Sequence, residues 1–131
     1  MQIKKNKLVE AIIKSDIESA TCLLNFPEYI NKDNLEWVVL FLVRDNNLLM
    51  LKFTLNLMYV AKINVNVSEL YKESIMSLSK DVIQYFHELH ITLTNDEWQQ
   101  CISNVCRLNS IDVFQLLCTI QKSYIEENII K

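Results

Sequence analysis

Residues 11–25 read AIIKSDIESATCLLN, and this stretch decides the fold class. Apolar residues on either side of Lys14-Ser15-Asp16 recur three and four positions apart, which is the spacing of one face of an α-helix. Two such runs separated by three polar residues predict two short helices joined by a tight turn. Ser15 and Glu18 also have the spacing of a capping box, in which a hydroxyl and a carboxylate satisfy free amides at a helix start.

The same arrangement recurs along the rest of the chain. Three more polar turns lie between short amphipathic runs, at spacings of about 30, 35 and 29 residues, which is the range of helical repeat proteins. These turns are Arg44-Asp45-Asn46-Asn47, Ser79-Lys80-Asp81 and Leu108-Asn109-Ser110. The spacing therefore predicts four helix pairs.

The longer connectors between these pairs also resemble one another. In residues 30–37, 63–70 and 91–98 an isoleucine opens the stretch, and a Glu-Trp or Glu-Leu pair follows six and seven positions later. Thr94 and Glu97 have the spacing of a second capping box, and Ser68 is the expected cap of the third pair. This pattern predicts that Trp37 and Trp98 occupy equivalent positions.

These patterns predict an all-α protein with a single domain over residues 1–131. The expected architecture is a helical repeat, a solenoid of about four helix pairs at 4–25, 34–62, 68–90 and 95–130, and the alternative is an irregular helical bundle. Glycine is absent, which argues against β-hairpins and excludes glycine-rich nucleotide-binding loops. Residues 47–61 are apolar on nearly every face, which predicts a central helix buried from both sides.

This order of elements resembles the ankyrin repeat: a helix, a tight turn, a second helix and an extended connector, at a period near 33 residues. Residues 11–25 are similar to the ankyrin run in which an alanine opens the tight turn and two leucines close the second helix, and residues 109–117 repeat that second-helix pattern. The turn glycines of that family are replaced by Ser15, Asn46, Lys80 and Asn109. The resemblance implies a protein that binds other proteins through its connector tips and concave face.

Charge and hydropathy exclude several classes of function. The formal net charge of −3 gives no general attraction to nucleic acid or to an anionic membrane. The longest uninterrupted apolar stretch, Trp37 to Val43, is shorter than a membrane-spanning helix. The N-terminal sequence lacks the pattern of a secretory signal, and the four cysteines lie in apolar, helical segments. We therefore expect a cytoplasmic protein with reduced, buried cysteines and neither a nucleic-acid nor a membrane partner.

The sequence carries no pattern of a catalytic or metal site. His87 and His90 are three positions apart, and their place at a helix end favours a structural role over metal binding. The pair Cys101 and Cys106 is spaced too far around a helix to chelate one ion. No nucleophile, base and acid can be grouped from the sequence. We therefore expect no catalytic residues, no metal, no cofactor, no small-molecule substrate and no enzymatic activity.

The candidate binding residues are acids and tryptophans at or just after the connectors. They are Glu36, Trp37, Glu69, Asp96, Glu97 and Trp98. Acids in the first turn of a helix favour its dipole, and this structural role is one interpretation of the acidic residues. The functional interpretation is an acidic edge that attracts a basic protein, with the tryptophans as binding anchors.

The predicted function is a non-catalytic protein-binding module: an inhibitor, an immunity-type protein or an effector that occludes a partner protein. The alternative is a structural or scaffold subunit of a larger helical assembly.

Overall fold

The computed structural model describes the backbone of residues 6–129 and the side chains of residues 6–122. This part of the chain forms helices and contains no strand, which confirms the all-α prediction. The predicted pair boundaries at residues 4 and 130 lie outside the described residues. The helices are α1 Lys7–Ile13, α2 Ile17–Leu23, α3 Lys32–Arg44, α4 Leu48–Val60, α5 Val67–Met76, α6 Lys80–Glu88, α7 Asn95–Arg107 and α8 Ile111–Ile129, with a short 3-10 helix at Pro27–Tyr29 between α2 and α3.

Four turns of the same construction join α1 to α2, α3 to α4, α5 to α6 and α7 to α8. Each has three residues, and its middle residue has a positive φ: Ser15 at 58°, Asn46 at 54°, Leu78 at 59° and Asn109 at 55°. These four residues are spaced 31, 32 and 31 positions apart. In every turn the amides of the second and third residues donate back to carbonyls of the preceding helix, as in a Schellman motif.

The left-handed residues correct one expectation drawn from the sequence, and they take a role that glycine usually has. The absence of glycine does not remove left-handed helix caps, because Ser, Asn and Leu occupy them in these turns. Lys62 and His90 take the same conformation after α4 and α6. The third turn is built on Leu78, while Lys80 is the first residue of α6 and not a turn residue.

Helix starts follow the predicted caps in one case and differ in two. Thr94 and Glu97 form the predicted capping box at α7. Ser15 does not begin a capping box, because the cap of α2 is Asp16, whose carboxylate accepts from the amide of Ser19 at 3.1 Å and from its hydroxyl at 2.7 Å. These hydrogen bonds, the hydroxyl one first, lower the pKa of Asp16. Ser68 lies inside α5, one residue past its start, and is not its cap.

The chain divides into two compact units, Met1–Asn66 and Val67–Lys131. In the first unit α1 packs against α2, α3 and α4. The Asn47 side chain donates to the Ser15 hydroxyl at 3.0 Å, so the turn of the first pair is hydrogen-bonded to the turn of the second. The Asn6 side chain caps α1 and donates to the Tyr29 carbonyl at 2.9 Å, which ties the start of the unit to its connector.

α4 is covered on one side only, contrary to the sequence prediction. Met50, Leu51 and Met58 are fully buried on its inner face, and Leu55 is half-buried. On the outer face three apolar side chains are largely exposed: Leu49 at 61%, Tyr59 at 82% and Val60 at 69%. The uniformly apolar composition of α4 therefore predicted burial on all sides, but its outer face is exposed.

In the second unit equivalent helices lie side by side. α5 packs against α6 and α7, and α8 packs against α6 and α7. Tyr71 is fully buried at the centre of this unit, with its ring 6.0 Å from that of Phe86 and 5.9 Å from that of Trp98. Its hydroxyl has no hydrogen-bond partner within the described structure. Burial raises the pKa of Tyr71, so the phenol stays neutral.

The cysteines are less buried than the sequence suggested. Cys101 is buried, whereas Cys22, Cys106 and Cys118 are exposed. The expectation of four buried thiols therefore holds for Cys101 alone among them. Along the described part of the chain, no helix combines the length and apolar character needed to cross a membrane.

Candidate functional site

An open groove of about 710 Å³ runs along the outer face of α7. It lies entirely in the second unit, and Met76 at the end of α5 contributes to one wall. Its lining positions on α7 are spaced three, four and one apart, so they share one helix face. We call this site the α7 groove; its residues are Met76, Asp96, Gln99, Gln100, Ser103, Asn104 and Arg107.

The α7 groove has one charge at each end and uncharged polar side chains between them. Asp96 and Arg107 are eleven positions apart on the helix, which places their backbones about 16 Å apart. Gln99, Gln100 and Ser103 between them are exposed. Carboxamides and hydroxyls each both donate and accept hydrogen bonds, so this stretch can pair with donors and acceptors alike.

Asn104 fixes the positive end of the groove. Its side-chain nitrogen donates to the Met76 carbonyl at 3.5 Å, and its side-chain oxygen accepts from Nη2 of Arg107 at 2.6 Å. Both contacts fix the orientation of the Asn104 amide. The Met76 carbonyl can only accept, so it faces the amide nitrogen, and the Arg107 guanidinium can only donate, so it faces the amide oxygen. Met76 is the last residue of α5, where carbonyls lack partners within the helix. Asn104 is buried and therefore joins the end of α5 to Arg107.

Of the sequence-predicted residues, only Asp96 lines the α7 groove. Glu97 belongs to the capping box: its carboxylate accepts from the Thr94 amide at 3.0 Å, and its own amide donates to the Thr94 hydroxyl at 3.2 Å. Hydrogen bonding to Thr94, through the backbone amide first, lowers the pKa of Glu97. Trp98 is half-buried, with its ring edge-on to that of Tyr71. Glu97 and Trp98 thus serve the start of α7 and the core.

The remaining predicted residues lie on other helices. Glu69 is exposed in the first turn of α5. Glu36 and Trp37 lie on α3 in the first unit, where Glu36 forms an exposed ion pair with Lys32 at 3.7 Å. Trp37 is 39% exposed and stacks on Phe41 with ring centroids 5.7 Å apart. Trp37 therefore presents a partly open aromatic surface.

The helix starts correct the predicted equivalence of these positions. Glu69 and Glu97 are each the third residue of their helix, but Glu36 is the fifth residue of α3. Trp37 is the sixth residue of its helix and Trp98 the fourth, so the two rings do not share a register. The three connectors match in sequence at the glutamate. However, α3 begins four residues before its glutamate, whereas α5 and α7 begin two residues before theirs.

The cysteines and histidines are not gathered into a site within the described residues. No group of three or more His, Cys, Asp or Glu side chains there could hold a metal ion. His87 is half-buried in the last turn of α6, and His90 is exposed with a positive φ of 61°. Burial is the main cause that raises the pKa of the Cys101 thiol to about 11, and Glu97 adds to it while Lys72 opposes it. The Cys101 thiol is therefore poorly nucleophilic at neutral pH.

Sequence reasoning missed the other six lining residues, which are Met76, Gln99, Gln100, Ser103, Asn104 and Arg107. The available signal was the outer face of α7, where uncharged amide and hydroxyl side chains fill the positions between two opposite charges. Solvent-facing helix positions usually carry many charged residues, so this face is unusual for a surface that only contacts water.

No protein-family model matches the chain, and comparison with curated proteins and with solved structures found no significant match. Inference about function therefore starts from the chemistry of the α7 groove.

Proposed function

We propose that this protein is a non-catalytic protein-binding module and that the α7 groove receives an extended segment of a partner protein. The single observation that carries the proposal is the run of exposed, uncharged hydrogen-bonding side chains between Asp96 and Arg107. The main chain of an extended peptide presents unpaired N–H and C=O groups in alternation. Gln99, Gln100 and Ser103 can pair with both kinds of group.

The charges favour a protein over a nucleic acid as the occupant. A nucleic acid is bound chiefly through basic side chains that neutralise its phosphates. The α7 groove has a single cation, Arg107, and an anion, Asp96, at its other end. The chain as a whole carries a formal charge of −3.

The proposed mode of action is occlusion: the module covers a segment that its partner needs for its own activity. This makes it an inhibitor, an immunity-type protein or an effector. We further propose that the helix pairs belong to a helical repeat that resembles the ankyrin repeat, supported by the turns spaced 31, 32 and 31 positions apart. Repeat proteins of this kind present extended binding surfaces.

Selection from a displayed library of random linear peptides tests the groove. Peptides selected on the full chain should lose binding to the variant Gln99→Ala, Gln100→Ala, Ser103→Ala. They should keep binding to a control with the same number of exposed, uncharged substitutions in the same unit: Gln84→Ala, Gln115→Ala, Thr119→Ala. Circular dichroism of both variants checks that the helices persist.

Equal binding of the selected peptides to both variants would place the binding surface elsewhere and overturn the proposal. Tight binding of single-stranded oligothymidine, lost in the groove variant and kept in the control, would overturn it in favour of a nucleic-acid partner.

The outer face of α4 favours a second candidate, a scaffold subunit of a helical assembly. Leu49 and Val60 lie on the same side of the helix, and Tyr59 is next to Val60, so this face offers exposed apolar side chains that another chain can cover. Sedimentation velocity over a range of concentrations tests this candidate. Self-association that is lost on Leu49→Ser and Val60→Ser would support it, and a monomer at all concentrations would exclude self-assembly through α4.

A further inference from the structure

We infer that Arg107 is a carboxylate-binding residue positioned by Asn104, so that the α7 groove takes peptide segments with an acidic group at one end and a cationic group about five residues away. This inference rests on the proposed function and deepens it by stating the chemistry of the segment.

α3 and α7 each have 13 residues and each end in an arginine, Arg44 and Arg107. Three positions before the arginine, α3 has Phe41 and α7 has Asn104. The phenylalanine side chain has no hydrogen-bond acceptor, whereas the side-chain oxygen of Asn104 can accept from Arg107. Nη2 of Arg107 donates this hydrogen bond to Asn104 at 2.6 Å.

Holding one nitrogen of a guanidinium orients the whole group, because the group is planar and rigid. Arg107 is exposed and lines a groove that is open to solvent. Where side chains are described, no carboxylate forms an ion pair with Arg107. A fixed guanidinium loses less conformational entropy on binding, and its fork matches the two oxygens of a carboxylate.

Asp96, at the opposite end of the groove, requires a cationic group in the bound peptide. Asp96 lies about 16 Å from Arg107 along α7. An extended peptide rises about 3.3 Å per residue, so five residues cover this distance. A segment with its carboxylate at Arg107 therefore places a lysine or arginine five positions away beside Asp96. Reversal of the segment would set like charges against each other at both ends, so the groove also selects direction.

The chain has only two arginines, which permits a direct test with acetate as the probe. In ¹⁵N-resolved NMR spectra of the full chain, the Nε–H signal of Arg107 should shift on addition of sodium acetate relative to sodium chloride at equal ionic strength. The Nε–H signal of Arg44 serves as the internal control and should move several-fold less. In Asn104→Leu, which removes the acceptor, the Arg107 response should fall to that of Arg44. Equal responses of the two arginines in the unmodified chain would overturn the inference.

A second arm uses the peptide library. Peptides selected on the full chain should carry an acidic side chain, or a free terminal carboxylate, five residues from a basic one. Replacing that acid by glutamine should weaken binding roughly fivefold, and Arg107→Gln should remove the difference between the two peptides while Arg44→Gln leaves it.

The two arms separate the two proposals. If the selected peptides bind through the α7 groove but carry no acidic group, the protein-binding proposal is supported and the role of Arg107 is overturned. A selective acetate response of Arg107, together with no groove-dependent peptide, would support the carboxylate site and count against the peptide-binding groove.

Discussion

At the scale of single residues, the left-handed positions are the most unusual feature of this chain. Within residues 6–129, six residues have φ between 54° and 61°, and each follows the end of a helix. A residue with a Cβ atom pays about 1–2 kcal/mol for this conformation, and asparagine less, because its short polar side chain tolerates it. The amides of these turns nevertheless complete the hydrogen bonds that end each helix.

Lys62→Gly should therefore stabilise the protein. Lys62 is exposed and has φ of 60°, so glycine removes the steric cost with little loss of packing. The greater freedom of glycine in the unfolded chain offsets part of the gain, and we expect a net increase of about 1 kcal/mol in the free energy of unfolding.

Urea denaturation of three variants measures this effect. Lys62→Ala keeps the Cβ atom and should leave stability unchanged, while Asn109→Gly should gain less than Lys62→Gly. A loss of stability in Lys62→Gly would show that the lysine side chain makes a contact worth more than the backbone cost.

Tyr71→Phe should also stabilise the protein. The Tyr71 hydroxyl is buried without a hydrogen-bond partner in the described structure, so its loss of hydration is not compensated. Removing it should raise the free energy of unfolding by about 1–3 kcal/mol. Tyr59→Phe, on an exposed side chain, is the control and should have no effect. Destabilisation of Tyr71→Phe in thermal or urea unfolding would mean that a bound water or another group satisfies the hydroxyl.

At the scale of helices, the capping box of α7 should make stability depend on pH. The pKa of Glu97 is lowered from 4.5 in the folded chain, so its contribution to stability is present above pH 4.5 and is lost as the pH falls through the lower, folded value. Glu97→Gln keeps an acceptor for the Thr94 amide but has no charge. The stability difference between the unmodified chain and Glu97→Gln should shrink as the pH drops below 4.5. Urea midpoints that stay equally far apart across this range would contradict the ionic contribution.

The helices also show what the sequence could and could not predict. Thr94 and Glu97 were identified because a capping box depends on residues three positions apart. The open face of α4 was not, because apolar composition states what can be buried and not which neighbour is present. The cap at Asp16 was misplaced by one residue, since Ser15 and Asp16 are both good caps and only the backbone angle of Ser15 separates them.

At the scale of the whole molecule, the all-α class and the number of turns followed from polar breaks in an apolar pattern. The turn positions were less accurate, because Leu78 carries no turn signal of its own. Of the residues that line the α7 groove, the sequence predicted only Asp96. The α7 groove arises where the end of α5 meets α7, and contacts between helices far apart in sequence are not encoded in local spacing.

The prediction of a single domain can be tested by cutting the chain between Asn66 and Val67. Each unit has its own buried residues, among them Leu51 in the first and Phe86 in the second. We expect each fragment to show helical circular dichroism and to melt cooperatively, at a low temperature because domains of this size are marginally stable. Fragments without helical signal that regain it only when mixed would instead support one cooperative domain.

The glycine-free turns bear on how distant relatives of such chains can be recognised. Positions that in many proteins are marked by glycine are filled here by serine, asparagine, lysine, leucine and histidine, with φ kept within a few degrees. The same backbone angle is therefore compatible with several residue types. Two chains with the same turn can therefore share no residue at it, and a comparison of dihedral angles can reveal a shared turn geometry that an alignment of amino acids misses.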